Sequence, residues 1–259
     1  MAKEYLSGKS AVPWNDAKIY GLYPNSQGMI SDNAEVFATV MLLKIEGLPF
    51  RFEGRPNAEN MSKNGRTPIL RLNNDNHIIC GFQYIYDFLV QRGLGLTDTI
   101  PDNQIADHEA YLALIDETLR NVELWMCWKE DDVYYKITKE RYGSVYSTPL
   151  NYILPCLKRR EISRYFNSIG WGSKTVDDII KIADNCFQSL SIKLGDNEFF
   201  FGDKPTHLDA FAFGHLYCII TTVLPNNSLV ATIKKYENLQ KFCQNMEKKF
   251  IKSKIDYHF

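Results

Sequence analysis

The chain has 259 residues, 45% hydrophobic and 24% charged, a balance that supports a substantial buried core and leaves room for two domains of ordinary size. Its 30 Lys and Arg residues stand against 31 Asp and Glu, a formal charge of -1; this excludes a global attraction to nucleic acid and leaves charged partners to be recognised locally. The six cysteines (Cys80, Cys127, Cys156, Cys186, Cys218, Cys243) are scattered through apolar segments with no C-x-x-C pair and no histidine at zinc-ligand spacing, so they read as reduced core thiols of a protein facing the cytosol.

The N-terminus has neither a long apolar run nor an Arg-rich amphipathic stretch, the first arginine being Arg51, so neither a secretory signal nor a mitochondrial presequence is expected. Ala17 to Tyr23 has strand character, and Pro24, Asn25, Ser26 and Gly28 make a loop. A helix follows, with Asp32 expected as N-cap, Glu35 at N3, and Phe37, Ala38, Met41, Leu42 and Ile45 at helical spacing until Gly47. Pro49 to Glu53 reads as extended, Thr67 to Leu72 and His77 to Cys80 as two short strands, and Gly81 to Arg92 as a second helix. This order predicts a small mixed sheet covered by helices over residues 17–94.

From Asp102 the strand signals disappear. Leu112, Ile115, Leu119, Val122 and Met126 form one apolar stripe, and Pro149 opens a helix to about Ile169. Thr175 and Asp178 form a capping box ahead of a helix that ends at Gly195. A second box, Thr206 with Asp209, precedes a helix apolar nearly all round, expected at the buried centre of a helical layer. Leu239, Phe242, Cys243, Met246 and Phe250 mark a last amphipathic helix, so residues 102–255 are expected to be all-helical. Leu208 to Leu224 approaches membrane-spanning length but carries Asp209 and His215 behind a cap of the soluble type, which argues against a span.

Three further features bear on function. Trp125, Trp128, Tyr134, Tyr135, Tyr142, Tyr146 and Tyr152 cluster in and around a segment read as turn-rich. Aromatic rings with polar tips favour interfaces, which makes Tyr142, Tyr146 and Tyr152 candidate partner contacts, with packing of the helical layers as the competing role. Lys234 to Lys254 holds seven lysines against Glu237 and Glu247; Lys248, Lys249, Lys252 and Lys254 are candidate contacts to an anionic bilayer surface, against a plain solvated helix face. The five histidines have no metal-ligand spacing, His207 and His215 lying eight residues apart on one helix, and His215 reads as a hydrogen-bonded core residue. No phosphate-binding glycine motif opens a helix, since Gly93-Leu94-Gly95 follows one.

A small strand-helix domain with Thr67-Pro68 before its third strand, followed by a helical domain with a T-x-x-D cap on a buried helix, resembles the glutathione transferase fold. That resemblance implies a thioredoxin-like N-terminal α/β domain and an all-α C-terminal domain. Within the superfamily the chain is similar to the metaxins, the metaxin-2 type in particular. The residues that carry the likeness are Ser31 to Ala34 (SDNA), Asn57 to Ser62 (NAENMS), Arg141 to Tyr146 (RYGSVY), Pro149 to Leu154 (PLNYIL), Ile169 to Thr175 (IGWGSKT) and Phe199 to Tyr217 (FFFGDKPTHLDAFAFGHLY). The resemblance implies a peripheral protein on the cytosolic face of the mitochondrial outer membrane, without a cofactor. It would partner a metaxin-1-type protein, act in import and in β-barrel protein assembly with the assembly machinery, and serve mitochondrial transport through motor adaptors.

The alternative is a glutathione-dependent transferase or peroxidase. Such an enzyme needs a hydroxyl or thiol after its first strand to favour the thiolate, and Tyr23, Ser26 and Ser31 are the candidates, with structural roles as the competing reading. Transferases also place Glu or Gln followed by Ser at the start of the helix after the last strand, to hold the γ-glutamyl group. Here that position reads Cys80-Gly81, which offers no charge-assisted hydrogen bond; two such contacts, at roughly 1.5–3 kcal/mol each, separate binding from its absence. The expectation is therefore a non-enzymatic subunit, with Cys80 an inert thiol and Thr206 and Asp209 a structural cap.

Overall fold

Ile19 and Tyr20 on one strand and Ile69 and Leu70 on another are all buried, so both faces of the sheet are covered at its centre and the strands there read as apolar runs. The structure is a computed structural model that describes residues 14–23, 27–63, 65–72, 77–94, 96 and 100–251. Four strands, β1 (Lys18–Gly21), β2 (Arg51–Gly54), β3 (Ile69–Leu72) and β4 (His77–Cys80), lie in the order β2-β1-β3-β4. β1 runs parallel to β2, with Ile19 opposite Phe52, and antiparallel to β3, with Ile19 opposite Leu70; β4 is antiparallel to β3. The parallel pair requires a crossover, and α1 (Ile30–Ile45) supplies it. The Thr67–Pro68 peptide ahead of β3 is cis. α2 (Phe82–Val90) follows β4 directly.

The start of α1 differs from expectation. Met29 is the N-cap, and Asp32 is the N3 residue, its Oδ2 accepting the Met29 N–H at 3.0 Å. Burial of Ile30 and Ser31 explains the earlier start, because apolar contact sets the first turn while the carboxylate satisfies its free N–H from inside. Glu35 is thereby released from the helix end.

The remainder is helical. α3 (Ile105–Ala113) continues through a π-helical segment, Leu114–Leu119, into α4 (Arg120–Trp128), and the expected stripe from Leu112 to Met126 is buried along all three. The stretch expected to be turn-rich is helical as far as Gly143: α5 (Asp131–Val133), a π segment Tyr134–Thr138, and α6 (Lys139–Gly143). Then come α7 (Leu150–Ser168), α8 (Val176–Leu194), α9 (His207–Thr221), α10 (Ser228–Ile233) and α11 (Glu237–Phe250). Six residues give α10 too few turns to announce itself by periodicity.

Twelve of the fifteen residues of α9 are buried, in keeping with its all-round apolar sequence. Its cap is closed as expected: the Asp209 carboxylate accepts the Thr206 N–H and hydroxyl, each at 2.7 Å, and the Phe200 N–H at 2.9 Å. Burial outweighs these bonds and raises the Asp209 carboxyl to about 6. α9 packs against α1, which belongs to the sheet-bearing part. A Cβ on Gly214 would drive into the Ala34 carbonyl oxygen and come within 2.6 Å of the Ala38 nitrogen, so the two backbones approach as closely as glycine permits. On the same helix His215 Nδ1 meets both carboxylate oxygens of Glu123 on α4, at 2.9 and 3.0 Å, with both residues fully buried.

Candidate functional site

The cleft between the sheet and the helices is where the resemblance places a ligand, and its chemistry begins at the N-terminus of α2. A helix N-terminus presents free N–H groups and a positive dipole end, which suits an anion. Gly81 caps α2 at φ +96°, outside the range most side chains adopt. The Phe82 N–H is already bonded: it donates to Glu35 Oε2 at 3.3 Å. The other oxygen of Glu35 faces Arg120 Nε at 3.3 Å, Arg120 reaches Asp116 at 3.6 Å, and Arg66 lies 4.0 Å from the same Asp116 oxygen. Glu35 is only 5% exposed. A carboxylate of the chain itself thus occupies the N-terminus of α2.

Two recesses flank this network. One, of about 210 Å³, is lined by Glu35, Arg66, Phe82, Glu109, Asp116 and Phe211 among others. The second, of about 340 Å³, includes Asp32, Glu59, Arg120, Trp128, Tyr142 and Lys158 in its walls. The Tyr142 hydroxyl donates to Glu59 Oε1 at 2.9 Å, tying α6 to the segment between β2 and β3. Burial, with the nearby Glu59 charge second, raises the Asp32 carboxyl to about 6. Desolvation, with Glu59 again second, pushes the Tyr142 hydroxyl far above the usual phenol range, so it stays a donor. This recess is therefore crossed and charged by side chains that bond one another.

The candidate activating hydroxyls fare differently. Tyr23 lays its ring against Gly54. Ser31 is buried and its hydroxyl has no hydrogen-bond partner, hence no base to activate it. Ser26 lies outside the described residues. Cys80 is half-buried and Cys156 is exposed on α7, whereas the other four cysteines are buried; the reading of all six as core thiols holds for those four. His207 stacks face to face on Tyr86, with ring centroids 3.5 Å apart, and both its nitrogens are buried without a partner, so burial holds it neutral.

The candidate interface tyrosines separate. Helical spacing turns Tyr134, Thr138 and Tyr142 inward together. Tyr142 packs edge-on against Trp128 at 5.2 Å, so its ring is withheld from partners; Tyr146 is half-buried and Tyr152 is exposed. The signal for this inward turn is the i, i+4, i+8 spacing of those three residues. Of the candidate membrane lysines, Lys249 is paired with Glu198 at 2.6 Å and lies over the Phe199 ring, while Lys248 is exposed. Lys252 and Lys254 lie outside the described residues. Among the described residues no helix is long and apolar enough to cross a membrane.

Comparison with known proteins places these features in context. Residues 37–159 match the family described as "Outer mitochondrial membrane transport complex protein", and residues 183–246 match "Glutathione S-transferase, C-terminal domain". Human Metaxin-2 is 37% identical over 95% of this chain and 93% of its own length, and the Metaxin-2 homolog of Caenorhabditis elegans 38% identical over 85% and 95%. Mouse Metaxin-1 is 27% identical over 85% of this chain and 70% of its own. Among solved structures, a glutathione S-transferase of Ceriporiopsis subvermispora in complex with glutathione superposes with a TM-score of 0.60 at 14% identity, covering 90% of this chain and 97% of that one. At that identity the likeness concerns the fold alone.

Proposed function

The chain belongs to the metaxin family, and from that membership we propose that it acts as a non-enzymatic subunit of an outer mitochondrial membrane transport complex. The observation that carries the non-enzymatic reading is Glu35: its carboxylate fills the N-terminus of α2 and is itself clamped by Arg120. Cys80-Gly81 adds to it, since neither residue brings a charged group to the place where transferases anchor glutathione. An incoming carboxylate would have to displace Glu35 from both the Phe82 N–H and Arg120.

Family membership and the match to a transport complex support a place on the outer membrane and a metaxin-1-type protein as partner. The cytosolic face, the contribution to β-barrel protein sorting with its assembly machinery, and the attachment of motor adaptors are parts of the same proposal. The test of the non-enzymatic reading is calorimetric titration with reduced glutathione. We expect no heat of binding at millimolar ligand; saturable binding at micromolar concentrations would favour the transferase alternative instead.

A further inference from the structure

α7 has one flank in the cleft, where Lys158, Glu161 and Tyr165 line the second recess. Its outer stripe follows helical spacing from Leu150 through Ile153 and Leu157 to Arg160 and Arg164, a ridge about 20 Å long. The first three are exposed, Leu157 by 55%, and Tyr135 and Tyr152 beside them by 63% and 59%. Leu150, Ile153 and Leu157 thus form an exposed apolar stripe on α7, and Tyr135 and Tyr152 share a recess at the flank of that helix. The helix carries four basic residues against Glu161 alone, and Glu161 is already engaged by Lys158 at 3.3 Å. Arg159 is turned inward to the Trp128 and Lys129 carbonyls, leaving Arg160 and Arg164 facing outward.

We propose that this outer face of α7 rests on an anionic bilayer surface. The aliphatic side chains stand out along a helix, a form that dips into the headgroup layer of a planar surface without needing a complementary pocket. Tyrosines at the flank suit the level where one end of the ring is apolar and the other wet. Lys139 sits 5.9 Å over the Tyr152 ring, beside a recess of about 500 Å³ framed by Tyr135, Tyr146 and Tyr152 with Glu140 also in its wall. Arg160 and Arg164 extend the positive charge along the ridge in a chain whose formal charge is -1. Of the C-terminal lysines, Lys249 is paired with Glu198. The α7 contact rests on the outer-membrane reading above.

Flotation of the purified full chain tests it without other mitochondrial proteins, using vesicles of phosphatidylcholine with phosphatidylglycerol and vesicles of phosphatidylcholine alone. At low salt the chain should float with the anionic vesicles and remain behind with the neutral ones. Arg160→Glu with Arg164→Glu should lower the anionic partition by about tenfold or more, and Ile153→Asp with Leu157→Asp should remove it while circular dichroism melts stay as in the unsubstituted protein. Failure to float, equal flotation with both vesicles, or flotation untouched by the substitutions would overturn the proposal. So would an unchanged partition accompanied by loss of a captured metaxin-1-type partner, which would make the ridge a protein interface. The glutathione titration is independent of the vesicle contact, so failure of one leaves the other standing.

Discussion

Asp32 stands in the first turn of α1. It supplies the N3 carboxylate to Met29 and lies in the wall of the charged recess beside Glu59. Its carboxyl titrates at about 6, above the ordinary 3.8, because burial and the Glu59 charge disfavour the anion. A carboxyl with a raised folded pKa holds its proton more tightly in the folded chain. Ionisation therefore costs stability above pH 6, and the cost fades as pH falls through 6 towards 3.8. Asp32→Asn should accordingly be more stable than the native chain by on the order of 2 kcal/mol at about pH 7.5 and no different near pH 4, read from urea midpoints. His207, which must remain neutral when folded, contributes equally to both proteins and cancels. A stability difference that does not change with pH would show that Asp32 ionises freely. Glu35 makes the opposite point: nothing in its neighbourhood in sequence announces Phe82 or Arg120, yet those two residues define its part in the site.

At the scale of elements, α9 and α1 decide how the sheet and the helices join. Phe37 meets Tyr217 at 5.4 Å, Phe82 stacks on Phe211 at 4.7 Å, and Gly214 lies on Ala34 and Ala38 between them. Gly214→Ala sets two effects against each other. Helix propensity favours alanine by about 1 kcal/mol. The added methyl, however, meets backbone atoms of α1, which cannot rotate away as a side chain can, and overpacking of this kind costs about 1–3 kcal/mol or more. The clash should win, with a net loss of about 2 kcal/mol and a lowered thermal midpoint. A neutral result would mean that α1 slides along α9 without penalty. The buried Glu123–His215 pair joins α4 to the same helix, so α9 carries contacts to three layers, which is why its sequence is apolar on every face.

Taken whole, the molecule keeps the glutathione transferase-like architecture, and its own side chains bond one another across the cleft between the sheet and the helices. Tyr142 to Glu59 and Glu35 to Arg120 both link the helical part to the sheet-bearing part across the cleft. The proposed partnership predicts that the tagged chain captures a metaxin-1-type protein from a mitochondrial lysate, identified by mass. Capture should persist in the Ile153→Asp, Leu157→Asp variant if α7 faces lipid. Absence of that protein from the captured set would count against the proposed partner.

The order of the four strands and of the longer helices, both Thr-Asp capping boxes and the buried stripes were legible in the sequence because each depends on spacing within one element: Thr206 and Asp209 are three residues apart, and Leu112 to Met126 repeat at one period. Local spacing tells which side of a helix is inward and where it starts. It does not tell what stands opposite. The Phe82 N–H reaches Glu35 across 47 positions, Tyr142 reaches Glu59 across 83, and Lys249 reaches Glu198 across 51. Hydrogen bonds and charge pairs act over a few ångströms in space and are indifferent to distance along the chain. The fold, and the uncharged Cys80-Gly81 pair ahead of α2, were therefore written in the sequence. That Glu35 bonds the N-terminus of α2, that Tyr142 is locked inside, and that α7 is left with an apolar, basic outer face were decided only when the sheet and the helices packed together.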